Sequence, residues 1–229
     1  FFIHMHWDHI QGFPFFTPMY IPSNTFHIYG PQAGENRFHQ LLSGQMTSDY
    51  FPVGFADLGA SIEPASLTVG TSIIDGVEVR SMAQNHPGTS YAYSFSHNGR
   101  KVVYATDSEI DLQLTDREAP VSKPWLMRTI PADLVDFCRG ADLLIADAQY
   151  TDTDYANKEG WGHSRASTVV DLAVRAEVKE LALFHHDPMH SDEAIDQKVA
   201  DCRFRAQGFG SEVFIFGARE GFELRLDRD

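Results

Sequence analysis

Three histidines and an aspartate crowd the start of the chain. In "FFIHMHWDHIQG", His4, His6, Asp8 and His9 lie within six residues, directly behind an apolar run. Imidazole nitrogens and carboxylate oxygens are ligands that zinc, manganese and iron accept in proteins. So dense a group is improbable by chance in a chain with 11 histidines. The spacing therefore predicts a site for divalent metal ions.

Further ligand-type residues follow apolar strands later in the sequence. His86 follows "VEVRSMAQN", Asp107 ends "KVVYATD", and His185 follows "ELALF". Open α/β sheets build their sites at the carboxyl ends of their strands. Each residue alone would be read as a turn or surface residue. Together with the first cluster, they indicate further metal ligands.

The elements that must position these residues alternate between strands and helices. Strands are predicted at "FFIH" and at residues 26–30, 76–82, 90–97, 101–107, 142–148, 180–186, 212–217 and 222–226. Helices are predicted at residues 32–46, 132–138 and 164–177 and from the capping Ser191 to about Gln207. Residues 108–131 are predicted to be a long surface loop. This order is typical of an α/β layered fold, and we expect one domain over residues 1–229.

Charge and composition limit the partners of the protein. The chain has 32 acidic and 18 basic residues, a formal charge of -14, which argues against nucleic acid and anionic membranes as partners. No apolar stretch reaches the roughly 20 residues that a membrane span needs. Cys138 and Cys202 show no ligand spacing, which favours a reducing, cytoplasmic compartment. We therefore expect a small-molecule substrate and no membrane partner.

At this point the motifs carry a family resemblance. "HMHWDH" resembles the H-x-H-x-D-H motif of the metallo-β-lactamase superfamily, and "NHPGTS", "YATDSE" and "LFHHDP" follow in the family's order. "ADAQY" and "GHSRAS" are similar to segments of the ribonuclease Z and cyclic-phosphodiesterase branch. The resemblance implies a four-layer αββα sandwich with a two-metal site between its sheets. It covers nearly the whole chain.

The resemblance also implies a role for each matching residue. The first metal would be held by His4, His6 and His86. The second would be held by Asp8, His9 and His185, with Asp107 bridging both. Two divalent ions are therefore expected, zinc first, with manganese and iron as alternatives. The adjacent His186 is an alternative to His185, although the family's segment favours His185.

The sequence departs from the family at two places. The first motif begins at residue 4, whereas in the family it follows several strands of an amino-terminal half-sandwich. We therefore expect those strands to be absent from this sequence or to be supplied by another chain, such as a second copy in a homo-oligomer. In addition, "ADAQ" places Asp147 where ribonuclease Z usually has a glutamate.

The expected activity is that of a dinuclear metal-dependent hydrolase. The favoured reaction is hydrolysis of a small or cyclic phosphodiester by a metal-bridging hydroxide. His163 would protonate the leaving group with Asp147 as its partner, Asp8 would join them in catalysis, and His190 is a second candidate donor. One alternative is a lactonase, thioesterase or β-lactamase-type hydrolase of the same fold. Another is a non-catalytic metal-bound sensor or binding domain.

Overall fold

The computed structural model describes residues 1–31, 35–67, 69–118 and 122–226. Cα packing divides the chain into two compact units, Phe1–Val69 and Gly70–Asp229. The assignment of residues 1–229 to one domain stays a prediction. Among the described residues, no helix has the length and apolar character needed to cross a membrane.

The amino-terminal unit contains a small parallel sheet. Its strands are β1 (Thr25–Pro31) and β2 (Ser61–Leu67), and its helices are α1 (Trp7–Ile10) and α2 (Glu35–Gly44). Short 3₁₀ turns occupy Phe13–Phe15, Thr17–Tyr20 and Phe55–Asp57. Prolines at the start of the first two turns fix φ near the helical value, which favours these tight turns. The core of the unit is formed by Ile10, Phe13, Met19, Ile28, Leu42 and Met46.

The prediction of a strand at "FFIH" is wrong. The Phe2 N–H donates to the Tyr29 carbonyl at 2.7 Å, and the Phe1 ring stacks on Tyr29 with centroids 4.8 Å apart, but the segment is not a strand. Ile3 is nevertheless buried. A run of apolar residues indicates that a segment is buried. It does not distinguish a strand from an irregular segment that packs against a strand.

The carboxy-terminal unit is built on a seven-stranded sheet in the order β3 to β9. The strands are β3 (Gly70–Ile74), β4 (Val77–Gln84), β5 (Ser90–His97), β6 (Arg100–Ala105), β7 (Leu143–Asp147), β8 (Glu180–Phe184) and β9 (Phe214–Gly217). Strands β3 to β6 pair antiparallel, and β6 to β9 pair parallel. The carboxyl ends of β6, β7 and β8 therefore share one edge of the sheet.

Helices connect the parallel strands. They are α3 (Ala132–Cys138), α4 (Asp152–Tyr155), α5 (Ala166–Arg175) and α6 (Asp192–Gly208), with a 3₁₀ turn at Ile110–Gln113. The apolar side chains of α5 lie in the same core as Leu144 and Leu181 of the central strands. Ser191 caps α6 as predicted, its Oγ accepting a hydrogen bond from the Ala194 N–H at 3.3 Å.

Most predicted elements are present, with shifts of a few residues at their ends. The helix predicted at residues 32–46 is found as Glu35–Gly44, and residues 32–34 lie outside the described part. The strand predicted at residues 222–226 is wrong: its alternating pattern finds no partner strand among the described residues. The surface loop predicted at 108–131 is wrong in its first part, because Ser108–Asp111 is buried. Strands β2 and β3 were not predicted.

Candidate metal-binding site

The amino-terminal histidines converge as the motif requires. The ring of His4 lies 4.4 Å from that of His6 and 4.3 Å from that of His9, measured between centroids. His9 Nε2 lies 3.4 Å from Asp8 Oδ2. The convergence comes from the turn into α1, for which His6 is the N-cap, and not from the alternation of side chains along a strand. The predicted cluster is therefore present within this unit, by a different local geometry.

In the carboxy-terminal unit, Asp107 and His185 meet at the shared sheet edge. His185 Nε2 lies 3.4 Å from Asp107 Oδ2, and Asp107 is buried. Both residues have positive φ, 55° and 56°. The left-handed region costs a residue other than glycine about 1–3 kcal/mol, and such residues cluster at functional sites. Here His185 directly follows β8, and Asp107 lies two residues after the end of β6.

His86 is held by the backbone of a distant loop. Its Nδ1 lies 2.9 Å from the Gly162 carbonyl oxygen. A carbonyl can only accept, so Nδ1 carries the proton, and the neutral ring keeps its lone pair on Nε2. This is the arrangement that orients a histidine for metal binding. His185 differs, because the atom 3.1 Å from its Nδ1 is Nε2 of Gln149. An NH₂ group donates, so in this contact Nδ1 accepts, and a neutral His185 ring carries its proton on Nε2.

His163 and Asp147 form a close pair. His163 Nδ1 lies 2.6 Å from Asp147 Oδ2, and the backbone N–H groups of Ser108 and Gln149 also donate to Asp147, at 3.2 Å and 3.1 Å. Burial lowers the pKa of His163, but its hydrogen bond to Asp147 and the nearby carboxylate charges outweigh burial and raise it above its usual value. The His163 ring stacks on His185 with centroids 4.7 Å apart. The pair therefore adjoins the strand-end residues Asp107 and His185.

The donor set of the carboxy-terminal unit fits a divalent ion. Ligand atoms of His86, Asp107 and His163 lie within 4.8 Å of one another, as do those of Asp147, His163 and His185. Ligands at about 2.0–2.2 Å from one tetrahedral zinc ion are separated by about 3.3–3.6 Å, so donors within 4.8 Å of one another need only a small inward shift to share an ion. His163 belongs to both groups, so distance alone allows it to be a ligand. Its Nδ1 is engaged by Asp147, which leaves only Nε2 for a ligand or a proton.

Two other histidines have different surroundings. His190 Nε2 lies 3.1 Å from Asp154 Oδ2, which ties its loop to α4. Burial, followed by the charge of Lys198, lowers the pKa of His186 to about 4, so its ring is neutral near pH 7. Within the described part of this unit, the sets of donor atoms that lie close enough together to hold an ion include His185. They include neither His186 nor His190. The geometry thus favours His185 over His186 and gives His190 a structural partner.

Three residues near the site were missed by sequence reasoning. Gln149 contacts His185, Gly162 contacts His86, and the buried Glu109 contacts the loop that contains Gly162. None of the three belongs to a sequence motif with the spacing of metal ligands. Each acts through a hydrogen bond to a residue that is distant in the sequence. The only local signal was the glycine pair in "GWGH", which marks a turn beside His163.

Comparisons with known proteins agree with the motifs. The family model of the β-lactamase superfamily domain matches residues 1–186. Ribonuclease Z from Haloarcula marismortui is 22% identical over 99% of this chain and 79% of that protein. Ribonuclease Z from Brevibacillus brevis is 32% identical, but the match spans 48% of this chain and 28% of that protein.

Solved structures share the fold. A diphosphatase from the PhnP family has a TM-score of 0.64 at 17% identity, covering 98% of this chain and 70% of that one. The short form of human tRNase Z has a TM-score of 0.63 at 17% identity, covering 99% of this chain and 78% of that one. The predicted α/β sandwich fold is thereby confirmed. With its family model matched over most of its length, the chain belongs to the metallo-β-lactamase superfamily.

Proposed function

We propose that this protein is a metal-dependent hydrolase of phosphodiesters. The observation that carries the proposal is the His163–Asp147 pair, 2.6 Å apart, beside the strand-end ligands Asp107 and His185. Hydrolysis of a diester with a poor leaving group needs metal ions and a proton donor. The candidate ligands and the histidine–carboxylate pair at one sheet edge could supply both. The names of the ribonuclease Z relatives support the same reaction class.

We propose that two ions are bound, zinc being the first choice. The ligands would be the residues that the order of the motifs gives: His4, His6, Asp8, His9, His86, Asp107 and His185. The donor chemistry and the order of the motifs support this assignment. When bound, such ions supply a hydroxide nucleophile near neutral pH and offset charge on the phosphoryl oxygens.

His163 is the proposed proton donor. Asp147 occupies Nδ1, so the protonated ring offers its second proton from Nε2. The raised pKa keeps more of the ring protonated near neutral pH, which suits an acid that transfers its proton to a departing alkoxide. Asp147 in turn is fixed by two backbone N–H groups, so it orients the imidazole. Asp8 remains a proposed ligand with a catalytic role.

Two substrate classes are considered, a small or cyclic diester and RNA. The formal charge of -14 favours a small or cyclic diester over RNA, because an acidic surface repels a polyanion. The names of the relatives, ribonuclease Z and tRNase Z, weaken our prediction that nucleic acid is not a partner. We propose a small diester, and the following experiment includes RNA as the competing outcome.

The test uses the full chain loaded with zinc or manganese and a panel of substrates. The panel contains bis(p-nitrophenyl) phosphate, a cyclic nucleotide, a precursor tRNA, a lactone and a β-lactam. We expect turnover of the two small diesters, lost in Asp107→Asn and retained in Asp142→Asn, a carboxylate at the opposite end of β7. Turnover of the lactone or β-lactam alone would overturn the phosphodiester proposal. Preferential turnover of tRNA would overturn the small-substrate proposal.

A further inference from the structure

Glu109 is a buried carboxylate that the proposed reaction does not use. It lies two residues after Asp107, and 1% of its surface is exposed. Three neutral donors converge on its side chain: the Tyr155 hydroxyl at 2.5 Å, the Gly160 N–H at 2.7 Å and the Gly162 N–H at 2.8 Å. A buried carboxylate is costly unless its oxygens are satisfied, so this arrangement ties the loop at 155–162 to the segment after β6.

The main chain of Glu109 is tied to the residue before His86. The Glu109 N–H donates to the Asn85 carbonyl at 2.7 Å. In return, Asn85 Nδ2 donates to the Glu109 carbonyl at 2.9 Å. This reciprocal pair fixes the backbone that leads into His86 relative to Glu109.

Gly162 closes the connection on the ring of His86. Its N–H belongs to the peptide that faces Glu109, and its carbonyl accepts the proton of His86 Nδ1 at 2.9 Å. Gly162 has a φ of +90°, and a Cβ added there would lie 2.5 Å from both His86 Nδ1 and Pro87 Cδ. The turn therefore approaches His86 as closely as the absence of a side chain allows.

We propose that Glu109 is a positioning residue for His86. Its side chain holds the Gly160–Gly162 turn, the turn holds His86 Nδ1–H, and Nε2 is left as the ligand atom. Through its main chain, Glu109 also fixes the backbone before His86. The inference rests on the proposed function in that it takes His86 as a metal ligand. The hydrogen-bond chain itself involves only residues of this unit.

The experiment replaces Glu109 with glutamine in the full chain. A glutamine amide has one oxygen and one NH₂ group, so it cannot accept from all three donors, and the NH₂ group opposes a backbone N–H. Two readouts are taken. One is the zinc affinity, by competition with a chromophoric chelator. The other is the ¹⁵N NMR signature of His86 in the metal-free protein, which reports the proton on Nδ1 without any metal or activity.

We expect Glu109→Gln to weaken zinc binding by about 10–100-fold, the range for partners of metal-ligating histidines. We also expect His86 to shift from the Nδ1–H form towards a mixture of tautomers. Tyr155→Phe removes one of the three donors and should give a smaller shift of the same kind. It serves as the decisive variant if Glu109→Gln does not fold.

Asp171→Asn is the matched control. Asp171 is another fully buried carboxylate of this unit, bound by Arg128 and Arg205 and not by the site. Its variant should be less stable but should keep the zinc affinity and His86 tautomer of the wild type. A wild-type tautomer in Glu109→Gln and Tyr155→Phe, or an equal shift in Asp171→Asn, would overturn the inference. If the wild type binds no zinc, the proposed function fails, and the tautomer measurement still decides the role of Glu109.

Discussion

The two ends of strand β7 each have a buried aspartate, and the two are used differently. At the amino end, Asp142 accepts hydrogen bonds from Lys179 Nζ at 2.7 Å, the Lys101 N–H at 2.7 Å and Arg100 Nη1 at 3.1 Å. At the carboxyl end, Asp147 contacts His163 at 2.6 Å, together with two backbone N–H groups. One carboxylate faces permanent cations, and the other faces a group that can gain or lose a proton.

This difference suggests that Asp142 serves the stability of the fold and that Asp147 serves the proposed reaction. Burial raises the pKa of Asp142, but the hydrogen bonds from Lys179, Lys101 and Arg100 outweigh burial and lower it. Its charge is therefore fixed over the physiological range. Burial lowers the pKa of His163, but the hydrogen bond to Asp147 and the nearby carboxylate charges outweigh burial and raise it above its usual value, so His163 is a group whose charge can change. The carboxyl edge is the end at which parallel sheets place their sites.

Removing the proposed bridge at the carboxyl edge should have the largest effect. Asp107→Ala deletes the carboxylate that lies 3.4 Å from His185 Nε2. We expect metal retention to fall and turnover of diesters to drop by more than about 100-fold, beyond the range for outer-shell partners. Elemental analysis and steady-state kinetics measure both. Unchanged metal content together with unchanged turnover would remove Asp107 from the site.

The next effect should depend on the leaving group. His163→Ala removes the proposed acid, so an alkyl-leaving diester should be cleaved about 10²–10⁴-fold more slowly. A nitrophenyl diester needs little protonation and should be slowed much less. Metal content should stay unchanged. Equal losses on both substrates would assign His163 to binding or packing, and loss of metal would make it a ligand.

A weaker form of the same selectivity is expected for Asp147→Asn. The amide keeps the shape of the carboxylate but loses the charge that favours the protonated ring of His163. We expect a loss of about 10-fold on the alkyl diester, as for other outer-shell partners of functional histidines. Rates measured for the two diesters side by side give the comparison. An effect on the nitrophenyl diester alone would contradict the orienting role.

The matching change at the amino end should affect stability and not turnover. Asp142→Asn leaves the exposed Lys179 and the partly exposed Arg100 without their countercharge. Because solvent screens these two cations, we expect a loss of only about 1 kcal/mol in the free energy of unfolding. Denaturant unfolding measures it, with kinetics at 25 °C as the control. A loss of turnover in the folded variant would contradict the claim that Asp142 acts on stability alone.

Acidification should remove the contribution of Asp142 to the stability of the folded protein. The pKa of Asp142 is lowered in the folded protein, so its contribution to stability is present above the ordinary aspartate range. It is lost as the pH falls through the lowered value. The stability difference between wild type and Asp142→Asn should therefore shrink on acidification below about pH 4. A difference that stays constant down to pH 2 would contradict the ion-pair account.

Sequence patterns predicted most of the carboxy-terminal unit, most clearly at β7 and β8, which are plain apolar runs. "DLLIADA" and "ELALF" are buried on both faces and were placed within a residue or two. Strands β2 and β3 were missed because "SIEPASL" and "GTSII" lack that density of apolar residues. The failure at "FFIH" has the opposite cause, because its apolar residues are packed without a strand ladder.

For the site, residue types predicted candidate ligands but not the residues that support them. Asp107 and His185 were visible because they end apolar strands. Glu109 and Gln149 act through hydrogen bonds to residues distant in sequence, and no local pattern records such contacts. The left-handed backbone at Asp107 and His185 was likewise invisible, because neither is a glycine.

The central claim is that the seven ligand-type residues bind two divalent ions. The direct test is elemental analysis of the full chain, expressed with added zinc and then freed of loosely bound metal. The account predicts close to two zinc ions per wild-type chain and a lower content in Asp107→Ala, with Asp142→Asn matching the wild type. A wild-type chain without zinc, or an Asp107→Ala variant that retains both ions, would contradict it.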